Sequence, residues 1–135
     1  MEGDEEVILL DTHVLIWMAR EPDKLSKKAV EAIRQASRET GVAISAITLW
    51  EVAWLAAHAR LAFTGTVEDF VEILSSRTSV RPITPKVAAL ANQFSSAYSA
   101  DPCDRLIGAT ALAEGMALVT KDASIRNCKQ LLTIW

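Results

Sequence analysis

Apolar positions along this chain fall into two alternating patterns. Val7-Ile8-Leu9-Leu10, Val42-Ala43-Ile44 and Ala117-Leu118-Val119-Thr120 are short unbroken runs, the signature of strands buried on both faces of a parallel sheet. Residues 80–83 read as a further strand weakened by Pro82, and residues 131–134 as the last. Between these runs the apolar residues recur at helical spacing. A short helix over residues 12–19 ends in the Arg20-Glu21-Pro22-Asp23 loop. Ser26 caps a longer one carrying Leu25, Ala29, Ile33 and Ala36, which Gly41 stops. Residues 48–59 form a third helix, and Gly65-Thr66 opens a fourth with Val67, Phe70, Val71 and Leu74. Thr84-Pro85 and Asp101-Pro102 are cap-then-proline starts, for helices running to Tyr98 and to Glu114 respectively. A short helix over residues 123–128 completes the series. Strands alternating with helices predict one α/β domain over residues 1–135: a three-layer sandwich around a five-stranded, mostly parallel sheet.

Composition narrows the class. The 135 residues are 50% hydrophobic and 23% charged, which supports a packed core and excludes intrinsic disorder. No apolar run approaches a membrane span, and the acidic start MEGDEEV is unlike a secretory leader, so a soluble, cytoplasmic chain is expected. The net charge of −3 argues against a protein that holds nucleic acid by bulk charge. Cys103 and Cys128 have no metal-binding spacing and read as small buried apolar groups. With only His13 and His58 as imidazoles, a metal site here must use oxygen ligands.

Four acids stand where oxygen ligands would be useful. Asp11 follows the first strand directly, and Asp122 lies just after the fourth; the carboxyl ends of parallel strands are where ligands collect. Glu51 and Asp104 interrupt otherwise apolar helical stretches, where an unpaired acid costs several kcal/mol. Converging carboxylates repel unless a cation sits among them, and an all-oxygen set suits Mg²⁺ or Mn²⁺. Helix capping is the plain alternative for Asp11 and Asp122, and the stronger reading for Asp101 ahead of Pro102. Thr12, Thr120 and Ser45 carry hydroxyls at the same strand ends, open to a cap or to orienting a ligand. His13 lacks a third group to make it a catalytic base, and His58 reads as a helix-surface residue. Lys24, Lys27, Lys28, Arg34 and Arg38 lie near one helical stripe, broken by Glu31, and read as a solvated face.

Leu9-Leu10-Asp11-Thr12-His13, Ser45-Ala46-Ile47-Thr48-Leu49-Trp50-Glu51, Asp101-Pro102-Cys103-Asp104-Arg105 and Leu118-Val119-Thr120-Lys121-Asp122 resemble, in order, the four motifs of PIN-domain proteins. The likeness is greatest to the VapC-type ribonuclease toxins of toxin–antitoxin pairs, and spans nearly the whole chain. The resemblance implies a Mg²⁺- or Mn²⁺-dependent endoribonuclease acting on RNA, with Asp11, Glu51, Asp104 and Asp122 as both catalytic and metal-holding acids. It places Asp101 and Arg105 at flanking motif positions, and departs from the family at Cys103, where an aromatic is common. It also implies an inhibitory antitoxin, for which Trp17, Trp50 and Trp54 suggest an apolar groove; a homodimer is expected.

Three rival classes are weaker. A haloacid-dehalogenase-type phosphatase needs an Asp where His13 stands, and a receiver domain needs a phosphoacceptor Asp where Thr84-Pro85 follows the third strand. A non-catalytic PIN-like binding module predicts lost acids, yet all four are present.

Overall fold

The computed structural model describes residues 7–135; residues 1–6, read above as an acidic start, lie outside them. Five strands, β1 (Ile8–Leu10), β2 (Val42–Ser45), β3 (Ser79–Arg81), β4 (Ala117–Val119) and β5 (Thr133–Ile134), form one sheet in the order β3-β2-β1-β4-β5. Every neighbouring pair is parallel, with Ile8 opposite both Val42 and Ala117.

Strand pleating divides the core in two. Ile8 and Leu10, with Val42, Ile44, Ala117 and Val119, face the layer formed by α1 (Thr12–Arg20), α2 (Lys27–Arg38), α3 (Ala46–Ala57) and α4 (Val67–Ser75). Leu9, Ala43 and Leu118 point the other way, against α5 (Pro85–Ala91), α6 (Pro102–Glu114) and α7 (Ala123–Arg126). This is why the central strands read as unbroken apolar runs: both faces are covered. Among the described residues no helix is long and apolar enough to cross a membrane.

Helix starts follow the expected chemistry. Ser26 accepts from the Ala29 N–H at 3.1 Å, Thr66 from Asp69 at 3.0 Å and Thr84 from Val87 at 3.1 Å. Gly115 ends α6 at φ 67°, a left-handed conformation that costs glycine nothing.

Several boundaries differ from the sequence reading, among them these four. α3 starts at Ala46 because Ser45 is its cap. β3 is Ser79–Arg81, not residues 80–83, since Pro82 has no N–H for the ladder. β5 is limited to Thr133–Ile134. The largest difference is α5, which stops at Ala91 and not at Tyr98. Arg105 takes the Ala91, Phe94 and Ser95 carbonyls at 3.3, 3.2 and 3.2 Å, giving the carbonyls beyond Ala91 a partner outside the helix. Phe94 and Tyr98, stacked at 4.2 Å, are thereby buried against α6. Both cysteines are half-buried, not the fully buried groups expected.

Candidate active site

The chain leaves β1 toward β2 and β3 on one side and returns to β4 and β5 on the other, so strand order reverses between β1 and β4. A crevice opens outside the carboxyl ends of strands at such a point. Asp11 stands there, 2% exposed, with its N–H on the Val119 carbonyl at 3.0 Å. Its Oδ1 accepts the Thr12 N–H at 2.8 Å and its Oδ2 the Thr120 hydroxyl at 2.7 Å. His13 Nδ1 stands 3.6 Å from the same Oδ2. Capping and site placement are therefore one arrangement: the carboxylate that starts α1 is held at the crevice.

The buried Thr12 hydroxyl donates to Glu51 Oε1 at 2.5 Å and lies 3.0 Å from the Thr48 hydroxyl. Glu51 thus projects from α3 toward the loop that carries Asp11. Asp104, on the first turn of α6, accepts the Ser99 hydroxyl at 2.6 Å, while Tyr98 donates to its carbonyl at 2.9 Å. Asp122 caps α7 through the Ser124 N–H and hydroxyl at 2.9 and 2.8 Å. Its own N–H is held by Thr120 at 3.1 Å.

Burial and neighbouring charge both act on two of these acids. Burial raises the Glu51 carboxyl above its ordinary range; the Thr12 hydrogen bond opposes the rise, and the charges of Asp101, Asp104 and Asp11 add to it. Asp104 is raised to about 6, first by burial, against the pull of Ser99, and further by Asp11, Asp101 and Asp122. The Cys103 thiol is pushed up to about 12 by burial and by the neighbouring acids, with Glu51 also hydrogen-bonded to it.

The structure sorts the remaining sequence-derived residues. Thr12 and Thr120 orient site acids. Ser45 is buried and caps α3 by accepting from the Ile47 N–H at 3.3 Å. Asp101 is exposed and caps α6 through Cys103 N–H at 2.9 Å, adding its charge to the cluster from outside. Arg105 spends its guanidinium on the Ala91, Phe94 and Ser95 carbonyls and lies over the Tyr98 ring, 5.8 Å away. His58 ends α3, exposed and stacked on Trp54 at 4.0 Å. Trp17 and the α3 tryptophans make different contacts: Trp17 meets His13 and Trp135, whereas Trp50 and Trp54 stand 56% and 37% exposed.

Thr48, Ser99 and Cys103 are contributors that sequence reasoning did not place at the site. Thr48 lies three residues before Glu51 on one helix, a spacing that puts both on one face. Ser99 carries no comparable signal, because a loop folds it back onto Asp104.

A family model for the PIN domain matches residues 8–130. The chain belongs to the PIN-domain family. It is 39% identical over 130 residues to ribonuclease VapC22 of Mycobacterium tuberculosis, covering 95% of this chain and 98% of that protein. The fold is similar to VapBC2 from Rickettsia felis, solved bound to a promoter DNA fragment (TM-score 0.72, 17% identity, 94% of this chain and 96% of that one). It is also similar to DNA-bound VapBC from Salmonella typhimurium (TM-score 0.70, 20% identity, 95% and 96%). At those identities the structures speak to fold alone.

Whether a divalent ion suits this PIN-domain site is a question of donors. Burial first, and then the charges of neighbouring acids, raises both Glu51 and Asp104; a cation relieves the repulsive part. Among the described residues no group of three or more His, Cys, Asp or Glu stands placed to hold a metal ion between them. An open all-carboxylate set fits an ion that binds through one or two carboxylates and keeps several waters, which is the habit of Mg²⁺.

Proposed function

We propose that this protein is a Mg²⁺- or Mn²⁺-dependent endoribonuclease that serves as the toxin of a toxin–antitoxin pair. What supports the reading is that Asp11 and Asp122 follow β1 and β4 at their carboxyl ends, while Glu51 and Asp104 are raised by burial and, after it, by the charges of the neighbouring acids. The 39% identity to ribonuclease VapC22 supports the same reading.

Asp11, Glu51, Asp104 and Asp122 would hold the ion. When bound, it supplies Lewis-acid chemistry, lowering the pKa of water and stabilising charge that develops on a phosphodiester. The chain's own residues set the geometry. Thr120 and the Thr12 N–H fix both oxygens of Asp11. The Thr12 hydroxyl turns Glu51 inward, and Ser99 holds Asp104 by Oδ2.

The partner is an antitoxin that docks an apolar helix face on Trp50 and Trp54, which α3 presents beside Glu51. Co-expression with the gene upstream should give a complex that does not cut RNA.

Purified protein should cleave RNA, and Asp11→Asn, Glu51→Gln and Asp104→Asn should each lower kcat/KM by about 100-fold or more while melting cooperatively. Asp122→Asn should be milder, because water can replace one oxygen ligand. Full activity in the first three variants refutes the assignment.

A further inference from the structure

An acidic site in a chain of net charge −3 must still hold a polyanion. Cations at its rim are therefore informative. Lys24 Nζ lies 5.7 Å and Lys121 Nζ 5.8 Å from the centre of the Trp17 ring. The two lysines come from distant parts of the chain: Lys24 from the 3-10 turn Pro22–Lys24, Lys121 from the loop between β4 and α7. Sequence reading put Lys24 in a stripe with the basic residues of α2, but it stands apart from them, over Trp17. An aromatic face attracts an ammonium by about 0.5–1 kcal/mol at an exposed site, enough to bias where both long side chains rest.

This patch is continuous with the acids. The His13 ring packs edge-on against Trp17 at 4.8 Å, and its Nδ1 stands 3.6 Å from Asp11 Oδ2. Lys121 lies between Thr120, which donates to Asp11, and Asp122. The Trp135 ring is tilted against Trp17, their centres 6.1 Å apart. Lys121 is exposed, and Lys24 also reaches Glu21 at 3.2 Å with both side chains about half exposed. An exposed pair of that kind is worth at most ~1 kcal/mol, so a phosphate oxygen can displace the carboxylate.

We propose that Lys24 and Lys121, gathered on Trp17, form a phosphate clamp that holds single-stranded RNA beside the acidic site. The inference deepens the ribonuclease reading and rests on it. Two ammonium groups on one ring at the mouth of the site suit successive backbone phosphates, while the His13, Trp17 and Trp135 rings offer faces to unpaired bases.

The test is binding of a fluorescein-labelled oligouridylate, followed by anisotropy in chelator so that nothing is cut. Wild type should bind with a steep salt dependence. Lys24→Ala combined with Lys121→Ala should weaken binding about 10-fold or more at low salt and flatten the slope of log Kd against log salt by about 1.4, roughly 0.7 for each lost single-strand phosphate contact. Lys27→Ala, on α2, should leave both unchanged. Trp17→Phe, which keeps a weaker ring, should fall between wild type and the double variant. An unchanged slope in the double variant, or an equal loss in Lys27→Ala, overturns the clamp. Binding and cutting are read separately. A wild-type chain that binds with the expected slope yet cuts no RNA when Mg²⁺ is supplied refutes the catalytic reading and leaves the clamp standing.

Discussion

The Thr12 hydroxyl has one proton, and with Glu51 ionised it goes to Oε1 at 2.5 Å. Thr48, buried and 3.0 Å from Thr12, must then donate its own proton back. Replacing Thr12 with Val keeps the shape and removes a hydrogen bond to a charged group, worth about 1.5–3 kcal/mol. RNA cleavage should fall by ~10- to 100-fold if that energy is lost in the transition state, and Thr12→Ser should restore most of it. Equal rates for Val and Ser would show that the hydroxyl only fills space. Asp104 makes a second residue-scale prediction. Its carboxyl is raised from 3.8 to about 6 in the folded chain, so the folded state binds that proton more tightly than the unfolded state does. Without divalent metal, Asp104 therefore adds stability as pH falls through 6 toward 3.8, and withdraws it as pH rises. Tm in chelator should accordingly gain more, on going from about pH 7 to about pH 5, in wild type than in Asp104→Asn. A larger gain in the variant contradicts the shift.

At the level of elements, α6 carries the tightest constraint. A Cβ on Gly108 would lie 2.1 Å from the Tyr98 hydroxyl oxygen and 3.0 Å from Cζ. Gly108→Ala must push the Tyr98 ring off the helix and break its bond to the Asp104 carbonyl. Overpacking of this kind costs about 1–3 kcal/mol, and thermal melting should show a Tm several degrees lower; an unchanged Tm would mean the ring moves without cost. The sequence carries the β1, β2 and β4 positions plainly, because unbroken apolar runs are distinctive, and with them the places of Asp11 and Asp122. Glu51 and Asp104 stand out as acids in apolar surroundings. The end of α5 does not, because it is set by Arg105, more than ten residues further on, reaching back for carbonyls. Ser99 and Cys103 are hidden for the same reason: their neighbours in space are Asp104 and Glu51, and no local periodicity records that.

Across the whole molecule, parallel strand order and charge act together. Strand order reverses between β1 and β4, with Asp11 and Asp122 just after them, and the like charges that add to burial in raising Glu51 and Asp104 are a cost that the chain carries without a cation. That cost gives the central claim its sharpest consequence. On the proposal that the acids serve catalysis through a divalent ion, cleavage of RNA by the purified chain should disappear in excess EDTA and return when Mg²⁺ or Mn²⁺ is added beyond the chelator. Full cleavage in excess EDTA would contradict the account.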